Sequence, residues 1–140
     1  LIKNIKKGNS VLDLGAGSGI LSFAAKLLGA NKVVGVEYDD VCKENFMENL
    51  AINQLSGIAY KGADATDWLD FNFDIILANI NRNILLDIIP NLKTAKGIII
   101  LSGLLQTDQS FVEKACIVNG LVVEDVNVRG EWISMELAVA

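Results

Sequence analysis

Asp13, Gly15, Gly17 and Gly19 alternate through one short stretch, Val11-Leu12-Asp13-Leu14-Gly15-Ala16-Gly17-Ser18-Gly19. Before the glycines the run is apolar apart from its one acid, as expected of a central parallel strand covered on both faces. Glycines at alternate positions remove side chains where the backbone turns, so that a ligand can lie against it. A helix opening directly afterwards, at Ile20, would present unpaired N–H groups and the positive end of its dipole. Together these features make a nucleotide-type cofactor site at the edge of a sheet. The spacing is G-x-G-x-G; in the dinucleotide fingerprint G-x-G-x-x-G the third glycine would fall on Ile20.

Four further positions fit the same chemistry. Glu37 lies twenty residues beyond Gly17, at the end of the second apolar run, where a carboxylate can accept both hydroxyls of a ribose. Tyr38 beside it can lie against an adenine, or simply end a strand half-buried. Asp64, in the turn Gly62-Ala63-Asp64-Ala65, can accept a proton from an adenine amine or remain a solvated turn residue. Asn79 closes a later run, Asp74-Ile75-Ile76-Leu77-Ala78. Its amide oxygen can accept a hydrogen bond from a substrate amine and so aim the nitrogen lone pair; its other use is to cap the next helix.

The elements that must position these residues alternate. Strands are expected at Ser10–Leu14, Lys32–Val36, Ile58–Lys61, Phe73–Ala78 and Ile98–Leu101. Between them the apolar residues fall at helical intervals: Ile20, Phe23, Ala24, Leu27 and Leu28; Val41 to Asn53 behind an Asp39 or Asp40 cap; Ile84 to Leu92, broken at Pro90. A last helix, capped by Thr107 or Asp108, carries Phe111, Val112, Ala115 and Cys116 on one face. Ile2 and Ile5 suggest one more, over Leu1 to Lys7. After Gly120 the pattern changes to two strands, Leu121–Val128 and Glu131–Val139, joined only by Arg129-Gly130 and therefore antiparallel.

Bulk properties narrow the partners. At 140 residues the chain is one domain with room for a real core, and a hydrophobic fraction of 51% suits a sheet buried between helix layers. No apolar run reaches the ~20 residues of a membrane span. The first residues lack the apolar core of a signal peptide, and a cytoplasmic location follows as the expectation. A net charge of −5 argues against free nucleic acid as a partner. Cys42 and Cys116 have no metal or redox spacing and are expected as buried free thiols on helices. Without histidine, the chain has no histidine-based triad, acid–base pair or metal site.

The D-x-G-x-G-x-G loop after a first strand resembles motif I of the class I S-adenosylmethionine-dependent methyltransferases. Asp13 to Leu21, followed by Gly29-Ala30-Asn31-Lys32-Val33-Val34-Gly35-Val36-Glu37, is similar to two of their families. Protein arginine methyltransferases carry two glutamates in the loop after the fourth strand; here it reads Asn79-Ile80-Asn81-Arg82-Asn83. The bacterial ribosomal protein methyltransferase family PrmA fits better. Leu77-Ala78-Asn79-Ile80, Leu101-Ser102-Gly103-Leu104-Leu105 and Gly130-Glu131-Trp132 each resemble its sequence at the corresponding place.

That resemblance implies an α/β fold: a Rossmann-like seven-stranded methyltransferase sheet, mostly parallel, with a C-terminal antiparallel hairpin and helices on both faces. It implies an N-methyltransferase that uses S-adenosylmethionine and modifies amino groups of a large-subunit ribosomal protein. Carried over by position, Asp13, Gly15, Gly17, Glu37, Asp64 and Asn79 hold the cofactor, with Tyr38 against the adenine. Asp13 receives the methionine ammonium directly or through water, and Asn79 also faces the substrate amine. Trp132 lines the site or fills the core. The family's N-terminal recruiting domain and its threonine- and glycine-rich segment have no counterpart here, so residues 1–140 are expected to be the catalytic domain of a longer protein. A methyltransferase for another protein or small molecule, and an inactive cofactor-binding fragment, remain the alternatives.

Overall fold

The computed structural model describes residues 4–140. Its strands are β1 (Ser10–Leu14), β2 (Lys32–Val36), β3 (Ile58–Lys61), β4 (Ile75–Asn79), β5 (Ile98–Leu105), β6 (Leu121–Arg129) and β7 (Trp132–Val139). They form one sheet in the order β3-β2-β1-β4-β5-β7-β6. The first five are parallel, and β7 runs antiparallel to both β5 and β6. The helices are α1 (Ile20–Leu27), α2 (Asp40–Asn53), α3 (Arg82–Ile88) and α4 (Gln109–Val118).

Side chains alternate across the strands, so each face of the sheet needs its own cover. Val11, Val33, Ile75 and Leu77 point to one face, where Ala25 of α1 closes over them. Leu12, Leu14, Val34, Ile76, Ile99 and Leu101 point to the other, beneath Leu85 and Ile88 of α3 and Val112 and Cys116 of α4. Burial raises the pKa of the Cys116 thiol to about 11, with Glu113 adding to the shift, which keeps it inert. Cys42 is only half-buried, against expectation, because α2 buries a single residue.

That residue is Phe46. Its ring lies 5.2 Å from those of both Phe23 and Tyr60. Gly35, in the middle of β2, leaves bare backbone beneath it, since a Cβ there would lie 2.9 Å from the ring. Gly19, with φ 95°, opens α1 and would likewise run a Cβ into Phe23 and Phe46. The third glycine of the loop thus serves helix packing.

Several sequence expectations are displaced. Ile20 and Leu27 of α1 are 71% and 72% exposed, and the buried residues are Ser22, Phe23 and Ala25. The helix is rotated because Ser22 must reach the buried carboxylate of Asp13. β5 runs on to Leu105 through a bulge, where Ser102 and Gly103 together oppose Ser134. The hairpin turn is Gly130-Glu131, one residue later than expected, with Gly130 at φ 60° in the first central position, as a type II′ turn requires. In the expected N-terminal helix, residues 1–3 lie outside the described residues, and 4–7 form a turn and irregular chain. At Pro90, as expected, α-helix gives way to a 3-10 segment, Ile89–Thr94.

Phe46→Ala would remove the only buried side chain of α2 and leave a cavity between Phe23 and Tyr60. The expected loss is about 3–5 kcal/mol, read as a lower urea midpoint at unchanged slope.

Candidate functional site

Parallel register brings the carboxyl ends of the strands into line: Leu14 beside Val36, Val36 beside Lys61, and Asn79 beside Ser102. The loops that leave these ends therefore meet, as at the crevice of any doubly wound sheet. Gly15, Gly17 and Gly19 all take positive φ, so the loop after β1 presents backbone rather than side chains. Nothing stands within 4 Å of where a Gly17 side chain would be, whereas one at Gly15 would run into Ile80.

Glu37 ties this loop to the next. Its Oε1 accepts the Gly17 N–H at 3.0 Å, and its Oε2 accepts the N–H groups of Tyr38 and Asp39, each at 3.0 Å. The Tyr60 hydroxyl donates to the Glu37 carbonyl at 2.8 Å, and Asn49 of α2 reaches the Ser18 carbonyl at 3.3 Å. The half-buried carboxylate is thus fixed before any ligand arrives.

Gly15, Glu37, Tyr38 and Asp64 line one pocket of about 230 Å³, together with Asp39 and Ile80. Among the described residues its wall holds three carboxylates and no cation, which suits a ligand offering hydroxyls and amines and opposes a pyrophosphate. Tyr38 is 67% exposed rather than half-buried, so it has a free face to offer. Asp64 lines the pocket and also caps the turn Ala65–Asp67, its Oδ1 accepting the Thr66 N–H at 3.0 Å and the Thr66 hydroxyl at 2.9 Å.

Asn79 lies in a second, larger cleft of about 890 Å³, with Ser102, Gly103, Asn127, Arg129, Trp132 and Ser134. The cap of α3 is Asn81, whose side chain accepts the Ile84 N–H at 3.1 Å, so Asn79 has no capping duty. Trp132 is exposed in the cleft wall and does not fill the core. Ile80 borders both the pocket and the cleft.

Asp13 is placed differently. It is 1% exposed, lines neither space, and accepts the Ser22 hydroxyl at 2.7 Å. Its carboxylate is therefore engaged by Ser22 beneath the loop rather than standing open in either space. Burial raises its pKa to about 6; hydrogen bonds from Ser22 pull it down, and the Glu37 charge adds a smaller push upward.

Sequence reasoning missed Ile80, Ser22 and Gly103. A serine in an otherwise apolar helix nine residues beyond a buried acid pointed to Ser22. Gly103, an isolated glycine in a mostly apolar run, pointed to a bulge or a close backbone approach. Ile80 gave no local signal.

The family model for ribosomal protein L11 methyltransferase (PrmA) matches residues 1–139. The chain belongs to that family. The L11 methyltransferase of Lactobacillus johnsonii is 38% identical over 135 residues, covering 94% of this chain and 43% of that protein. For Porphyromonas gingivalis the identity is 36% over 133 residues, covering 92% and 46%. The chain therefore spans less than half the length of these curated relatives. A crystal structure of the ribosomal protein L11 methylase from Lactobacillus delbrueckii subsp. bulgaricus superposes with a TM-score of 0.90 at 33% identity, covering 98% of this chain and 73% of that one. Membership in the PrmA family implies S-adenosylmethionine as the cofactor. The bare glycine loop and the acidic, cation-free pocket fit such a ligand.

The buried acid makes a testable signature. Folded Asp13 holds its proton up to about pH 6, whereas the unfolded chain releases it near 3.8. Its contribution favours the fold fully below pH 3.8 and is lost as pH rises through about 6. Urea melts of the parent and Asp13→Asn at pH 3.5 and pH 7 should differ by about 3 kcal/mol more in the variant's favour at the higher pH. A difference that stays constant across that window would show that Asp13 titrates normally.

Proposed function

We propose that this chain is the catalytic domain of an S-adenosylmethionine-dependent N-methyltransferase acting on amino groups of ribosomal protein L11. One observation carries the reading: a pocket suited to the nucleoside and a cleft holding Asn79 share Ile80 as their common wall. A ligand seated in the first would direct its reactive end toward the second. Family membership, and the names of the relatives at 36–38% identity, support the substrate.

The residues divide the work. Gly15 and Gly17 offer backbone to the amino-acid part of the cofactor; Glu37 has acceptor capacity for the ribose; Tyr38 and Asp64 flank the adenine. When bound, S-adenosylmethionine supplies a methyl group activated by a sulfonium. Asn79 accepts a hydrogen bond from the incoming amine through its Oδ1, which holds the nitrogen and aims its lone pair. Asp13 acts beneath the loop, fixing α1 through Ser22 and adding negative charge near a cationic ligand.

Among the described residues lining the cleft, Arg129 is the only charged one, and none of them offers a carboxylate or imidazole to take a proton. The amine must then arrive neutral, having lost its proton to solvent, and catalysis rests on alignment. Arg129 favours this by disfavouring an ammonium beside it.

Transfer of a labelled methyl group to L11 by the full-length protein tests the reading. Asn79→Ala should lower kcat about 10²-fold, and the parent rate should climb with pH until the substrate amine has titrated. Label on a group other than an amine, or an undiminished rate in Asn79→Ala, would contradict it.

A further inference from the structure

Gly103 stands at the bulge of β5, with φ +76°, directly against the proposed alignment residue. A Cβ at this position would sit 2.6 Å from the Oδ1 of Asn79, closer than any real contact allows. It would also press on the Ile80 backbone, 3.3 Å from its carbonyl oxygen and 3.4 Å from its nitrogen. Asn79 pairs with Ser102, the residue before the glycine, so β5 brings Gly103 to the end of β4. The oxygen in the way is the tip of a freely rotating side chain. It can swing aside without cost to the core, and the carboxamide is then lost from its present orientation.

We propose that Gly103 is a positioning residue: by lacking a side chain it leaves room for the Asn79 carboxamide oxygen, and the bulge exists to deliver that bare backbone. The inference rests on the alignment role argued above for Asn79. It explains why a strand whose other residues are mostly β-branched or leucine is interrupted at the one point that faces Asn79. The bulge also turns Gly103 out of the ladder with β7, whose pairing resumes at Leu104 with Ile133.

Substituting a glycine at positive φ strains the backbone whatever the space, so the test needs a matched control. Gly120 has φ +77° with nothing within 4 Å of its added Cβ, and it lies at the far end of α4. Gly120→Ala therefore reports the cost of the backbone strain alone, and Gly103→Ala should lower the melting temperature by at least as much, since its Cβ also meets the Ile80 backbone. Only Gly103→Ala should move the side-chain amide resonances of Asn79 and lower kcat for methyl transfer to L11, by about 10- to 100-fold, because small misplacements near the reacting atoms are costly. In the Asn79→Ala background the same substitution should cost less than about 3-fold more, since a residue acting through Asn79 has nothing left to position.

Full multiplication of the two losses would overturn the proposal, as would Asn79 resonances that move no further than in Gly120→Ala. An impaired Asn79→Ala beside an intact Gly103→Ala overturns the positioning role alone. Moved resonances with no loss of rate in Asn79→Ala overturn the alignment reading of the site, and the positioning role with it.

Discussion

The carboxylate of Glu37 accepts backbone N–H groups from Gly17, Tyr38 and Asp39, and the geometry of the crevice depends on those bonds. Hydrogen bonds to a charged acceptor are stronger than neutral ones, and three converge on one half-buried group. They hold the glycine loop to the end of β2, while Tyr60 holds the same residue from β3. Three adjacent strands are thus tied at their carboxyl ends through one residue, the first two by its carboxylate and β3 by its main-chain carbonyl. The loop can afford three glycines because its conformation is imposed from outside.

Beyond that lock, the two halves of the site have different chemistry. The pocket at Glu37 is acidic and narrow, with Glu37, Asp39 and Asp64 in its wall. The cleft at Asn79 is wider and mostly neutral, with amides, hydroxyls and an exposed tryptophan around one arginine. Arg82 pins the loops between the two sides: it pairs with Asp108 at 3.2 Å and lies 5.3 Å above the Phe111 ring. Asp108 in turn accepts the Leu105 N–H at 3.0 Å, so the ends of β4 and β5 are tied together. Such a site suits a reaction that needs held partners more than proton transfer.

Much of this was legible in the sequence, and what was not has a physical cause. The strands stood out because short β-branched runs end at glycine, aspartate or asparagine, and five α/β alternations before a tight hairpin leave few topologies. The places of Glu37 and Asn79 in the crevice were legible because they close apolar runs, and that of Asp64 because it stands in the turn after one; strand ends are where such folds bind ligands. The buried face of α1 was not, because an Asp13–Ser22 bond between two elements outweighs the local apolar stripe. The far half of β5 was hidden because Ser102-Gly103 reads as a turn until its neighbour Asn79 is known. Ile80 acquires its place between pocket and cleft only from tertiary structure.

In the proposed binding mode a nucleoside held at Glu37 points its reactive end past Ile80 toward Asn79. A crystal structure of the protein with S-adenosylhomocysteine tests it most directly. The expected complex has a ribose hydroxyl on the Glu37 carboxylate, the adenine between Tyr38 and Asp64, and the sulfur at the Asn79 end. A ligand bound away from the Gly15–Gly19 loop, or one whose sulfur points away from Asn79, would contradict it.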